Sequence, residues 1–170
     1  MMSVAEELFD VVDENDNVID VLPRSEVHRR KLRHRAAHIF LFRSDGRMLI
    51  HLRSADKVEF PGVWTSSASG HVSSGDKYKD TAARELTEEL GIEAPVRFLA
   101  RFDACPETCN EFTELYITES DASVNPDPVE ISDTEWLLPE EIDARLRSAA
   151  DSFSPAFRLL FDAVRDQLPQ

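Results

Sequence analysis

The 170-residue chain reads as one mixed α/β domain with a small N-terminal hairpin extension. Three observations carry that reading. Short apolar runs of strand length alternate with segments of helical period. Polar turn signals such as Asp13-Glu14-Asn15-Asp16-Asn17 and Ser44-Asp45-Gly46 separate them. No repeat, low-complexity stretch or internal linker divides the chain, and its length suffices for one hydrophobic core. Residues 1–34 form the hairpin with a short helix, and residues 35–170 form the core domain.

Leu8 to Val12 and Val18 to Leu22 read as the two strands of the hairpin. Pro23-Arg24-Ser25 opens a helix to about Leu32, with Ser25 as its N-cap. Ala36 to Phe42 is a strongly apolar strand, and Met48 to Leu52 returns after the Ser44-Asp45-Gly46 turn. Pro61-Gly62 precedes a strand from Val63 to Ala68. A helix runs from about Lys77 to Leu90, capped by Asp76 or Ser74. Val96 to Phe102, Phe112 to Thr118 and Glu135 to Leu138 read as strands. Ser120 to Pro128 is a surface loop. Helices follow from Pro139 to about Arg147 and from Pro155 to about Gln167.

The composition is that of an ordinary globular protein, 42% hydrophobic and 31% charged. The net charge of −14 disfavours nucleic acid and anionic membranes as partners. A small phosphorylated compound held through a metal ion remains compatible. No apolar run approaches the ~20 residues of a membrane span. The opening MMSVAEELFDVV lacks the basic and apolar regions of a signal peptide. Cys105 and Cys109 read as free thiols, too few ligands for zinc. Together these features lead us to expect a reducing cytoplasm.

Chemistry concentrates between Gly70 and Ile92. On the helix, Glu85, Glu88 and Glu89 share an arc about 100° wide, while Ala82, Ala83, Leu86 and Leu90 fall on another. An acidic helix face is usually just solvated. Here Gly91 stands where a left-handed helix stop belongs, and Gly70 and Gly75 allow a tight preceding loop. Crowded carboxylates in that setting point to a hard cation, Mg²⁺ or Mn²⁺.

This stretch resembles the signature of the Nudix hydrolases. Gly70, Arg84, Glu85, Leu86, Glu88, Glu89, Gly91 and Ile92 all match it, and Asp76 stands where the pattern has Glu. The resemblance implies an α/β/α sandwich with a mixed sheet. It implies Glu88 and Glu89 as primary metal ligands, and Glu85 as a third ligand or orienter of the attacking water. The Gly70 carbonyl would complete the coordination, and Arg84 would pair with a box carboxylate. Such enzymes often draw a further acid from outside this box. Glu111 and Glu114 point to opposite faces of a regular strand, so only one of them can serve, and Glu111 is favoured. Arg53 and Lys57, leading into the box, are the phosphate-binding candidates.

A second resemblance is to isopentenyl-diphosphate isomerases, which share the fold. Arg53 to Lys57, Phe60 to Thr65, Ser69-Gly70-His71 and Asn110-Glu111 are similar to their active-site approach. Ser69 stands where those enzymes have a catalytic Cys, and an unactivated hydroxyl does not replace a thiol. His28, His34 and His71 match their metal-binding histidines loosely, with Cys109 in place of the partner acid, so a surface or capping role is expected for each. The basic cluster Arg24, Arg29, Arg30, Lys31, Arg33 and Arg35 reads as a solvated face, with a phosphate edge or the acids of a second subunit in a homodimer as alternatives.

The expected function is therefore metal-dependent hydrolysis of a pyrophosphate linkage. The substrate would be a nucleoside diphosphate linked to another group, or a related organic diphosphate. An isomerase-like enzyme and a non-catalytic nucleotide-binding module are the alternatives.

Overall fold

In chain order the strands and helices are β1 (Leu8–Val12), β2 (Val18–Pro23), α1 (Arg24–Arg29), β3 (His34–Phe42), β4 (Met48–Arg53), β5 (Trp64–Thr65), β6 (Ala68–His71), α2 (Tyr78–Leu90), β7 (Arg97–Phe102), β8 (Glu111–Glu119), β9 (Ile131–Leu137), α3 (Pro139–Ser148) and α4 (Pro155–Val164). The structure, a computed structural model, describes residues 5–170. The first four residues of the segment judged not to be a signal peptide lie outside that range.

β3 is the axis of the fold. It pairs parallel with β8 along one edge and antiparallel with β6 along the other, and β7 extends the sheet antiparallel beyond β8. β4 pairs antiparallel with β5 and β9. The two groups of strands meet at one register pair, Phe42 with Met48, and then diverge. Period-2 alternation along β3 sorts its side chains between two layers. Ile39 and Leu41 pack with Ala82, Leu86 and Leu90 of α2. Phe40 and Phe42 pack with Phe157, Leu160 and Phe161 of α4. The result is the α/β/α sandwich with a mixed sheet. Each fully buried Phe on this axis contributes about 1.5–3 kcal/mol.

The gap where β3 and β4 part is filled by polar groups that satisfy one another. Ser67 Oγ donates to the Leu49 carbonyl (2.6 Å) and accepts from the Leu41 amide (2.8 Å). His38 Nδ1 meets Ser66 Oγ at 2.8 Å, and His51 Nδ1 meets the Ser67 carbonyl at 2.9 Å. Burial pushes both imidazoles down to about 4. Ser66 and Ser67 interrupt what the sequence presents as one strand, Val63 to Ala68. It is instead two short strands, one serving β4 and the other β3.

Four helix ends differ from expectation. α1 starts directly after Pro23 without a side-chain cap, and the Ser25 amide donates to Glu6 Oε1 (2.6 Å). α2 also lacks a side-chain cap: Asp76 is engaged by Arg84, and Ser74 Oγ donates to Asp10. α1 stops at Arg29 rather than Leu32, with Lys31 in a left-handed conformation (φ 52°). The last helix ends at Val164 and tightens into a 3₁₀ turn over Arg165–Gln167.

Candidate active site

α2 lies across β6 and stops at Gly91, whose φ of 68° permits the left-handed cap that the sequence requires there. Its apolar stripe is buried against the sheet, which turns the flanking acids toward the rim of β6. Glu85 lies directly against Gly70, and a Cβ on that residue would overlap the Glu85 carboxyl. Glu89 is buried, with Oε2 accepting from the Ser69 amide at 3.1 Å. Glu88 is more exposed and lines the same cleft.

Electrostatics in this cluster is unfavourable without a cation. Burial, then the charge of Glu88, pushes the Glu85 carboxyl up to about 7 despite Arg84. Burial, then the charge of Glu85, holds Glu89 well above the usual carboxylate range. The charge of a divalent ion among them would favour the ionised form of both carboxyls. Three crowded oxygen donors beside the Gly70 backbone fit Mg²⁺ or Mn²⁺ chemically. Arg84 serves the cluster from outside, with Nη1 on Asp76 (3.0 Å), Nη2 near Glu85 (3.6 Å) and Nε near Glu88 (3.7 Å). Asp76 thus orients Arg84 and does not cap the helix.

The carboxylates open on a cleft of about 770 Å³ whose walls also include Arg53, Lys57, Glu130, His28 and His71. Lys57 Nζ is paired with Glu130. Arg53 lines the cleft but spends its guanidinium on the next loop, donating to the Glu59 carbonyl (2.8 and 3.1 Å) and the Phe60 carbonyl (3.1 Å). Of the two phosphate candidates, Lys57 is the one whose head group sits on a displaceable side-chain partner.

The histidines correct the sequence reading. His28, His34 and His71 are neither surface nor capping residues. One ligating atom from each lies within 4.8 Å of those of the other two. They arrive from α1, β3 and β6 around Phe9, whose ring stacks on His34 and His71. Nε2 of all three is buried without a hydrogen-bond partner. Glu111 corrects the reading too. It was expected to serve the carboxylate-bound metal, but its Oε1 faces His71 Nε2 (2.9 Å) and His34 Nε2 (3.4 Å), at ion-pair distance though not aligned for hydrogen bonds. Burial alone would raise the Glu111 carboxyl; the charges of His71 and His34 outweigh it and hold it far below the usual range. The His34 imidazole is raised in turn, Glu111 overcoming its burial.

Glu114 points to the opposite face of β8, as strand alternation requires, and pairs with Arg101 (3.2 Å). Much of the basic cluster is locally paired. Arg29 and Arg30 meet Glu26, Arg24 meets Glu7, and Arg35 holds Asp10 and Asp16.

β6 joins the two centres. Gly70 faces α2 and its carboxylates, while the neighbouring Ser69 and His71 border a smaller pocket of about 80 Å³ with His38 and Glu111. Sequence reasoning missed the histidine cluster as an assembly, although the likeness to the isomerases had marked its members. It missed Glu130 completely, because a lone Glu in a loop carries no local signal.

Comparison with known proteins agrees with this geometry. The NUDIX domain matches residues 32–157. An uncharacterised Nudix hydrolase of Pseudomonas aeruginosa is 37% identical over 161 residues, covering 92% of this chain and 95% of that protein. An isopentenyl-diphosphate Delta-isomerase of Nocardia farcinica is 32% identical over 154 residues, covering 86% of this chain and 87% of its own. The crystal structure of a Deinococcus radiodurans protein superposes with a TM-score of 0.79 at 34% identity, covering 94% of this chain and 98% of that one. Among the described residues, no helix is long and apolar enough to cross a membrane.

Proposed function

This chain belongs to the Nudix family, and from that premise we propose that it is a Mg²⁺- or Mn²⁺-dependent hydrolase of a pyrophosphate linkage. The substrate is a nucleoside diphosphate joined to another group, or a related organic diphosphate. The observation that carries the reading is the crowding of Glu85, Glu88 and Glu89 against Gly70, with two of the carboxyls pushed upward by burial and by one another.

Glu88 and Glu89 would hold the ion, with the Gly70 carbonyl beside them. Bound there, the ion supplies charge neutralisation on the phosphate oxygens and a lowered pKa for water. Glu85, set against Gly70 in the same cleft, is placed to accept the proton of an attacking water or to complete the coordination. Arg84 positions Glu85 and Glu88, and Asp76 positions Arg84. Lys57 supplies positive charge for the phosphate, and Arg53 fixes the loop that carries it.

A screen of nucleoside-diphosphate compounds and organic diphosphates with Mg²⁺ and Mn²⁺, scoring release of phosphate or pyrophosphate, tests the proposal. Metal-dependent turnover of at least one compound class is expected. No turnover by folded protein that binds metal overturns it.

One observation favours a second reading. Three clustered histidines whose Nε2 atoms lack hydrogen-bond partners, two of them facing Glu111, suit a borderline metal such as Zn²⁺, as in an isomerase-like centre. Against isomerisation stands Ser69, a hydroxyl without an activating partner next to that centre. Incubation with isopentenyl diphosphate is expected to give no dimethylallyl diphosphate; robust conversion would reverse the ranking.

A further inference from the structure

The pairing of Lys57 with Glu130 has a consequence for how the cleft works. Lys57 lies in the loop between β4 and β5, and Glu130 immediately precedes β9. Lys57 Nζ sits 2.5 Å from Glu130 Oε2, with both side chains about a quarter to a third exposed. The backbone around them is tied down. The Ser54 amide donates to the Glu130 carbonyl (3.0 Å), and the Asp127 amide donates to the Glu89 carbonyl (2.8 Å). The loop bearing Glu130 is thus anchored to the end of β4 and to the C-terminal turn of α2. The side-chain ion pair can rearrange without breaking these backbone bonds.

That anchoring holds a fourth carboxylate beside three others. Glu130 lines the same cleft as Glu85, Glu88 and Glu89, and its charge adds to those raising Glu85 and Glu89. Lys57 is the cation that offsets this at Glu89. A lysine ammonium is a compact point charge with three donors on a flexible stem. A diphosphate entering the cleft carries more charge than one carboxylate and competes for it. Once Lys57 leaves, Glu130 stands as an unpaired anion among three others, where a divalent ion is its natural partner.

Resting on the reading of the cleft as a diphosphate site, we propose that the Lys57–Glu130 pair is a substrate-operated exchange. Lys57 passes to the incoming diphosphate, and the freed Glu130 joins Glu85, Glu88 and Glu89 as a ligand of the metal. Glu130 is then the acid from outside the helix that the sequence suggested at Glu111. Substrate and metal binding are coupled, and linkage makes that coupling reciprocal.

The test measures Mn²⁺ affinity by electron paramagnetic resonance of the free ion, with and without methylenediphosphonate as a non-hydrolysable diphosphate. Lys57→Met unmasks Glu130 and should bind Mn²⁺ about tenfold more tightly than the parent without phosphonate. The double variant Lys57→Met/Glu130→Gln should lose that gain. Glu130→Gln alone should match the parent without phosphonate and show a phosphonate-induced tightening smaller by about tenfold. Equal Mn²⁺ affinities for the parent and Lys57→Met, or a full phosphonate effect in Glu130→Gln, overturn the exchange and leave the hydrolase reading standing. A parent that binds Mn²⁺ but ignores the phosphonate overturns both.

Discussion

The carboxylate centre and the histidine centre sit on the two faces of one short strand and are built in opposite ways. The first comes mostly from one helix, with its acids spaced so that a single turn gathers them. Its geometry exists as soon as α2 forms, and packing only has to bring Gly70 alongside. The second takes one histidine each from α1, β3 and β6 and an acid from β8. No two of those residues are neighbours in sequence. The first centre is short of positive charge and the second already balances Glu111 against His34 and His71. An electrostatically incomplete site suits an ion, whereas an internally paired one can hold together without it.

The largest expected effect breaks the second centre. Glu111→Gln removes the carboxylate from a buried pair and leaves His34 and His71 uncompensated. Loss of a buried partner costs about 3–5 kcal/mol. Urea unfolding at pH 6 should show a loss near the lower end of that range, with the Mg²⁺-induced stabilisation of the carboxylate centre kept. An unchanged midpoint would mean that the pair does not balance the histidines.

Glu89→Gln should do the reverse. If Glu89 holds the ion, turnover falls by about a hundredfold or more, about 2.7 kcal/mol of transition-state stabilisation. Folding should not suffer, because removing one of the crowded anions relieves repulsion. Thermal melts should place the metal-free variant at or above the parent, with a smaller gain on adding Mg²⁺. Glu88→Gln should behave alike with a smaller stability change, its side chain being more exposed. Full activity and an unaltered Mg²⁺ shift in both variants would remove the carboxylate cluster as the metal site.

Next in size is an effect of acid on the seam that lies between β3 and β4. His38 and His51 have folded values near 4 against an ordinary value of 6.5. The unfolded chain therefore binds protons first. Stability is fully present above 6.5 and is lost as the pH falls toward 4, by roughly 2 kcal/mol per histidine between pH 7 and pH 5. The raised Glu85 and Glu89 carboxyls act in the opposite direction over the same interval, so denaturant titrations should compare the parent with His51→Gln, which should lose roughly 2 kcal/mol less between pH 7 and pH 5. Equal changes in the parent and in His51→Gln from pH 7 to pH 5 would contradict the burial of this ring.

The smallest contrast compares two glycines of the box loop. Gly75 has a φ of 83° and open space around it, so Gly75→Ala should cost only about 1 kcal/mol of backbone strain and leave metal binding intact. Gly70 is not in the left-handed region, yet its Cβ would collide with Glu85. Gly70→Ala should displace that carboxyl and reduce the Mg²⁺-induced shift. Isothermal titration with Mg²⁺ distinguishes the two; equal affinities would show that Glu85 does not depend on Gly70.

Much of the fold and one of the two centres could be read from the residues alone. The apolar runs of β3, β4 and β8, the glycine stop of α2 and the spacing of Glu85, Glu88 and Glu89 are local facts. Strand period, helix period and a left-handed cap are set by backbone sterics within a few residues. Asp13 to Asn17 likewise announced its turn, and Asp13 Oδ1 accepts from the Asn15 and Asn17 amides. Tertiary structure alone decided what depends on distant partners. It split Val63 to Ala68 between two strands, because Ser67 bonds to both β3 and β4. It took Ser25, Ser74 and Asp76 away from helix caps by offering them other contacts. It drew three histidines around Phe9, turned Glu111 toward them and set Glu130 beside α2. A carboxylate or imidazole acquires its role from the charges within a few ångströms of it, and those are fixed by packing, not by position in the chain.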